Sequence, residues 1–432
     1  MIFEELKDLI VKNNLIDNYY YEQHDVKRGL RHKDGNAVVV GLTNIGEVLG
    51  NKKQHGEIVP VDGILKYRGK DIEGIINELG KTLDRFWFEK VTFLLLVGRY
   101  PTDSEFSDLL NYLEEKMFLP EITLNIIKTV PGTNLMNKLQ LAIASLYGND
   151  SDPDSLDPYQ NFIKSLDIIA KLPLILAYSY LSVYKKEPKY LPVPKKLSIA
   201  EAFLYLIREG KEVTELEKHL LDLCLVLHAE HGGGNNSTFA CKVVTSSGSD
   251  IYSALIAAIG SLKGPLHGAA NEQVMDMMEN IKENVKNWED KIEISDYLSK
   301  IVNKQAYNKL GKIFGLGHAI YTKSDPRAII LKEKAQLLAK EQNRDQEFLL
   351  YTLVEELGPK VFKEIKNSDK VIAPNVDFYS GFVYDCLNIP VHVYAPIFAM
   401  ARVSGWCAHR IEEILSGKRI IRPGYKYIEI IP

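Results

Sequence analysis

"EKHLLDLCLVLHAEHGGGNNS", residues 217–237, changes character within a few positions. Leu220, Leu223, Cys224 and Leu227 recur at the spacing of one helix face, so 217–231 reads as an amphipathic helix. His228 and His231 follow at i, i+3 on one face, at the helix end where the dipole favours a cation. The glycines at 232–234 then let the chain turn sharply and pass close to another group. Three readings are open: paired metal ligands, a pocket for an organic anion, or a helix end that carries histidines. A metal needs about three or four ligands, and Glu230 does not share the face of both histidines, which argues against the first reading.

Outward from this helix, the same periodicity dominates. "FWFEKVTFLLLVGRY" (86–100) predicts a buried helix stopped by Gly98 and Pro101. Ser198 and Glu201 form a capping box that opens another helix, and Asp250 opens a third with apolar positions 251, 254, 255, 258, 259 and 262. Strand signals are confined to the first 70 residues, in "NAVVVGL" (36–42) and "GILKYRG" (63–69), with Asp62-Gly63 as the expected hairpin turn. The fold class is therefore mainly α with a small N-terminal β element.

A chain of 432 residues exceeds one compact core, so more than one domain is expected. A net charge of −4 without a basic block argues against a nucleic-acid partner. Cys224, Cys241, Cys386 and Cys407 are scattered without CxxC pairing, as suits reduced thiols in a cytosol. The amphipathic start "MIFEELKDLIVKNNLI" has neither a signal-peptide nor a transit-peptide pattern, and "LPLILAYSYLSVY" (172–184) is too short to span a bilayer. A cytoplasmic protein that spans no membrane is expected.

Three further constellations sit at helix ends. In "KGPLHGAANE" (263–272), His267 lies in a loop just before a helix from about Ala270, a place that keeps an imidazole neutral and able to donate one N–H. In "FGLGHAIYTKSDPRAII" (314–330), Gly315 and Gly317 loosen the chain before His318, and Asp325-Pro326 caps a helix. Arg327 then falls in the first turn, where a cation opposes the dipole by about 0.3–1 kcal/mol. Such a placement suggests a bound anion, although an exposed arginine paired with a nearby carboxylate would serve as well.

In "PNVDFYSG" (374–381), Asp377 precedes a helix expected to begin near Ser380, whose dipole would lower its pKa and keep it ionised. Arg402 falls mid-helix in "APIFAMARVSGWCAHR" (395–410), with Phe398 at i−4 and Trp406 at i+4. A guanidinium among such neighbours must reach solvent or meet an anion. Histidines, arginines and one carboxylate, with no hydroxyl or thiol nucleophile, suit a small polycarboxylate being polarised while a base removes a carbon-bound proton.

These blocks, together with the tail "IIRPGYKY", occur in an order that resembles the citrate synthases, from about residue 60 onward. The resemblance implies a two-domain helical fold, with a large domain of 1–274 and 388–432 and a small, mobile, CoA-side domain of 275–387. It implies catalytic roles for His267, His318 and Asp377, with Asp377 taking the acetyl-CoA proton, His267 holding the thioester oxygen and His318 polarising the oxaloacetate carbonyl. His231, Asn235, Arg327, Arg402 and Arg422 would bind oxaloacetate or citrate, with Arg422 reaching across a homodimer; His228 and Ser237 would support them. Gly315, Gly317 and Lys370 would contact CoA, and neither metal nor other cofactor is required. A 2-methylcitrate synthase using propionyl-CoA is the alternative. Gly232 and Ala319 depart from residues common in the family (Glu and Arg), and "RPGYKY" lacks a second Arg after its proline.

Overall fold

The computed structural model describes every residue except 1, 2, 5, 55–56, 83–84, 269, 369–370 and 430–432. The chain divides into two compact units, one of 1–42 with 421–432 and a larger one of 43–420.

The smaller unit holds two short helices, Lys7–Asn14 and Asn18–Gln23, and a C-terminal stretch without regular structure. Lys426 Nζ meets His24 Nδ1 at 3.1 Å. The strand expected at 36–42 is not formed. Among the described residues the segment makes one isolated bridge, Arg31 to Ala37, and Val39 and Leu42 are left 84% and 90% exposed, with no partner strand to reward their β-forming side chains.

In the larger unit, strands β1 (Gly46–Gln54), β2 (Glu57–Tyr67) and β3 (Lys70–Asp71) form an antiparallel sheet in that order. The hairpin joins Gln54 to Glu57, so Asp62-Gly63 is not the turn but lies inside β2. The reason is a close approach of backbone. A Cβ at Gly63 would collide with the carbonyl oxygen of Ser324, and one at Gly50 with that of Ile320. Gly63 N–H donates to Ser324 Oγ at 3.0 Å, and Thr322 Oγ1 donates to the Gly50 carbonyl at 3.1 Å. The two glycines thus let the hairpin lie against residues 320–324, directly after His318.

The remainder is helical, and its boundaries follow local chemistry. Trp87–Val97 ends at Gly98 in the left-handed region (φ +94°). Capping boxes at Thr102/Glu105, Ser198/Glu201 and Thr214/Glu217 open three helices, each joining the cap hydroxyl to one backbone N–H and the glutamate to another. The helix Pro158–Tyr184 has 27 residues and is long and apolar enough to cross a bilayer, but 78% of its apolar window is buried in the fold. The helix Tyr394–Ser416 runs through the core with Arg402, Gly405, Trp406 and His409 all buried. Gly405 is required there: a Cβ would collide with the Ala229 carbonyl, so the chain just after His228 rests directly on this helix.

Candidate active site

The helix Glu215–His228 stops earlier than periodicity suggests, with Ala229 as its C-cap. His228 and His231 consequently face different neighbours rather than sharing a face. The His228 ring lies 4.4 Å from that of Phe398, whereas His231 packs edge-on to His318 at 5.2 Å and to Tyr321 at 5.4 Å. Burial and the arginine charges hold both histidines well below the usual imidazole pKa, so both are neutral. No group of three or more His, Cys, Asp or Glu side chains is placed to hold a metal ion among the described residues.

Arg402 forms the floor. It is 0% exposed, its Nε donates to the His228 carbonyl at 2.6 Å, and its guanidinium lies 4.7 Å from the Phe398 ring. Nη1 and Nη2 have no hydrogen-bond partner among the described residues, nor does His231 Nε2. Burial lowers the Arg402 pKa to about 10 against the attraction of Glu230. A buried guanidinium with two uncommitted nitrogens is costly by itself and becomes favourable when an anion fills the gap.

Arg327 stands in the first turn of the helix Pro326–Glu341 and is buried, not exposed. Its Nε and Nη2 donate to Asp325 at 3.1 and 2.8 Å, and Asp325 also caps the helix through Arg327 N–H. The local carboxylate therefore offsets the unfavourable dipole. Asp325 Oδ2 also accepts from Val376 N–H at 3.2 Å, tying this turn to the start of the helix Val376–Cys386.

That helix begins before Ser380 and puts Asp377 in its first turn, behind the N-cap Asn375. The expected lowering of the Asp377 pKa is reversed. Burial pushes it up to about 6, outweighing the opposing pull of Arg327 and Arg402. The carboxylate is thus ionised at neutral pH yet basic enough to accept a proton.

His318 Nδ1 accepts from the backbone N–H groups of Ile320 and Tyr321, each at 3.1 Å. Burial, aided by Arg327, lowers its pKa to about 4, so the ring is neutral with its proton on Nε2. Gly315 and Gly317 (φ +79° and +92°) allow the preceding turn. Asn375 N–H donates to the Gly315 carbonyl and Gly317 N–H to the Ala373 carbonyl, which holds His318 beside the Asp377 helix. His267 Nε2 lies 3.1 Å from Ser237 Oγ, which donates to Asn235 Oδ1 at 2.8 Å. Burial, then the charge of Arg402, lowers the His267 pKa to about 4.

The fold thus brings His228, His231, His267, His318, Arg327, Asp377 and Arg402 into one electrostatic neighbourhood. Asn235 and Ser237 act as cap and support at its edge. Arg422 lies, exposed, in the smaller unit, and Lys370 falls outside the described residues. Two features escaped the sequence. Tyr321 stacks on His318 at 4.8 Å, and its position gave no periodic signal. Glu230, weighed only as a metal ligand, is buried against His409, whose pairing crosses 179 residues.

The family model described as "Citrate synthase, C-terminal domain" matches residues 35–424. The chain is 36% identical to the citrate synthase of Synechocystis sp. over 87% of its length and 88% of that protein's. It is also 36% identical to a citrate/2-methylcitrate synthase of Bacillus subtilis, over 78% and 85% respectively. The structure of a citrate synthase from Thermoplasma acidophilum, a ternary complex with carboxymethyl coenzyme A and oxaloacetate, superposes with a TM-score of 0.77 at 28% identity, covering 94% of this chain and 97% of that one.

Proposed function

The chain belongs to the citrate synthase family, and from that premise we propose how its side chains condense acetyl-CoA with oxaloacetate to give citrate and CoA. Oxaloacetate sits against Arg402, with His231 Nε2 and Arg327 completing the seat for its carboxylates. His318 donates from Nε2 to the ketone oxygen and draws electron density from the carbonyl carbon. Asp377 takes a proton from the acetyl methyl group while His267 donates to the thioester oxygen, stabilising the enol or enolate. That carbon attacks the ketone to form citryl-CoA, and water then cleaves the thioester. The acid–base steps use protein side chains alone, with no metal or other cofactor.

Ser237 has one hydroxyl proton. In this structure it goes to Asn235 Oδ1; turned to His267 Nε2 when the substrates bind, it would leave the imidazole N–H on Nδ1, free for the thioester. Residues 275–387 would close over the substrate, because His318, Arg327 and Asp377 lie there while His231, His267 and Arg402 lie in the other part. Gly315, Gly317 and Lys370 would line the CoA path, and the active unit would be a homodimer with Arg422 delivered to the partner's site.

The observation that carries this reading is the buried Arg402 guanidinium, with two uncommitted nitrogens among neutral histidines. Thiol release from acetyl-CoA, dependent on oxaloacetate, tests it. Propionyl-CoA run in parallel separates the 2-methylcitrate activity, since one methylene in a pocket is worth about 1–3 kcal/mol. Faster turnover of propionyl-CoA would move the assignment to that reaction.

A further inference from the structure

Tyr321 occupies the middle of the site, although no role follows for it from the reaction as described. Its ring stacks on His318 (4.8 Å, 25° between planes), meets His231 edge-on at 5.4 Å and lies under the Arg327 guanidinium at 5.7 Å. Its backbone N–H holds His318 Nδ1. The side chain is 2% exposed, and its hydroxyl has no hydrogen-bond partner among the described residues. The contrast is Tyr67, the other buried phenol close to Arg402, whose hydroxyl donates to the Val226 carbonyl at 2.9 Å. Packing alone does not account for Tyr321, because phenylalanine would fill the same space without leaving a buried hydroxyl unpaired, which is unfavourable. The phenol is also held in advance, since Gly50 and Gly63 bring the hairpin against its backbone and ring.

We propose that the Tyr321 hydroxyl is a further oxaloacetate ligand, donating a hydrogen bond to a substrate carboxylate seated between Arg327 and Arg402. The inference rests on the citrate synthase reading. Burial keeps the phenol protonated, so it acts as a donor throughout the neutral range. A neutral donor facing a carboxylate adds binding without adding another buried charge to a site that already holds two arginines.

The test is oxaloacetate binding by calorimetry, alongside steady-state kinetics, for wild type, Tyr321→Phe and Tyr321→Leu. Tyr321→Phe keeps the ring on His318 and should raise the oxaloacetate Kd and KM roughly 10- to 100-fold, with much smaller changes in kcat and in the acetyl-CoA KM. Tyr321→Leu also removes the stack and should lower kcat as well. Wild-type oxaloacetate affinity in Tyr321→Phe would overturn the inference while leaving the citrate synthase reading intact. A loss shared equally by both substrates and by the thermal midpoint would assign the residue to packing and overturn it too. Absence of oxaloacetate binding by wild type would overturn the functional reading and this inference with it.

Discussion

Glu230 Oε1 and His409 Nε2 lie 2.9 Å apart, with neither side chain exposed. Glu230 Oε1 also accepts from Gly232 N–H, and His409 Nδ1 faces Glu412, which is paired with Lys242. Glu230 offsets part of the buried charge of Arg402. The pair therefore fixes the turn carrying His231 and sets the field around Arg402.

This pair predicts a window of stability in pH. The carboxylates raise the His409 pKa above 6.5 despite burial, so its contribution is complete below about 6.5 and is lost as pH rises through the raised value. His409 holds Glu230 below 4.5 despite burial, so that contribution is present above about 4.5 and is lost as pH falls through the lowered value. Denaturant midpoints should show the pair's full contribution between these limits. His409→Ala should cost about 3–5 kcal/mol, because it strands a buried carboxylate. A variant as stable as wild type at pH 6 would remove the pair from the account.

The Asp377 carboxyl titrates near 6, and only its ionised form can take a proton. The acidic limb of kcat/KM for acetyl-CoA should therefore fall below about pH 6, well above the ordinary aspartate range. His267 and His318, near 4, stay neutral across this limb. An acidic limb near pH 4 would mean that Asp377 is not desolvated in the working enzyme.

Two glycines in one chain should behave oppositely. Gly63→Ala pushes a methyl group into the Ser324 carbonyl and Tyr321, so it should lower both the thermal midpoint and kcat by displacing the His318 loop. Gly74 is exposed on the helix Ile72–Thr82 with open space where a Cβ would stand. Gly74→Ala should therefore stabilise the protein by about 0.5–1 kcal/mol and leave kcat unchanged. Equal melting shifts for the two would contradict the claimed approach of hairpin and loop.

Where the physics is local, the sequence is informative. The Ser198/Glu201 box, the Asp250 and Asp325 caps with Pro326 at the first helical position, and the Gly98 stop all stand where the residues put them. What depended on distant partners was not legible. Asp62-Gly63 carries turn chemistry, but the approach of Ser324 spends that glycine inside a strand. Asp377 sits in a helix's first turn, and only its burial, set by other elements, decides the sign of its shift. The site histidines and arginines were visible as residues, whereas Tyr321 and the Glu230–His409 pair emerge only when the helices are assembled.

A shared site would show in mixed dimers. If Arg422 serves the partner's site, a heterodimer of Arg422→Ala and Asp377→Asn subunits has one doubly damaged site and one intact site. Re-annealing the two inactive proteins in equal amounts should then restore about a quarter of wild-type activity. No recovery despite demonstrated subunit exchange would place Arg422 in its own subunit's site or outside catalysis.

The proposed condensation turns on Asp377, which would remove a methyl proton from acetyl-CoA so that the carbon can join oxaloacetate. Mass spectrometry of the product from trideuteroacetyl-CoA and oxaloacetate tests this step. Wild type should give citrate retaining two of the three methyl deuterons, and Asp377→Asn should form it at least about 100-fold more slowly. Release of CoA with acetate in place of citrate, or dideuterated citrate formed equally fast by Asp377→Asn, would contradict it.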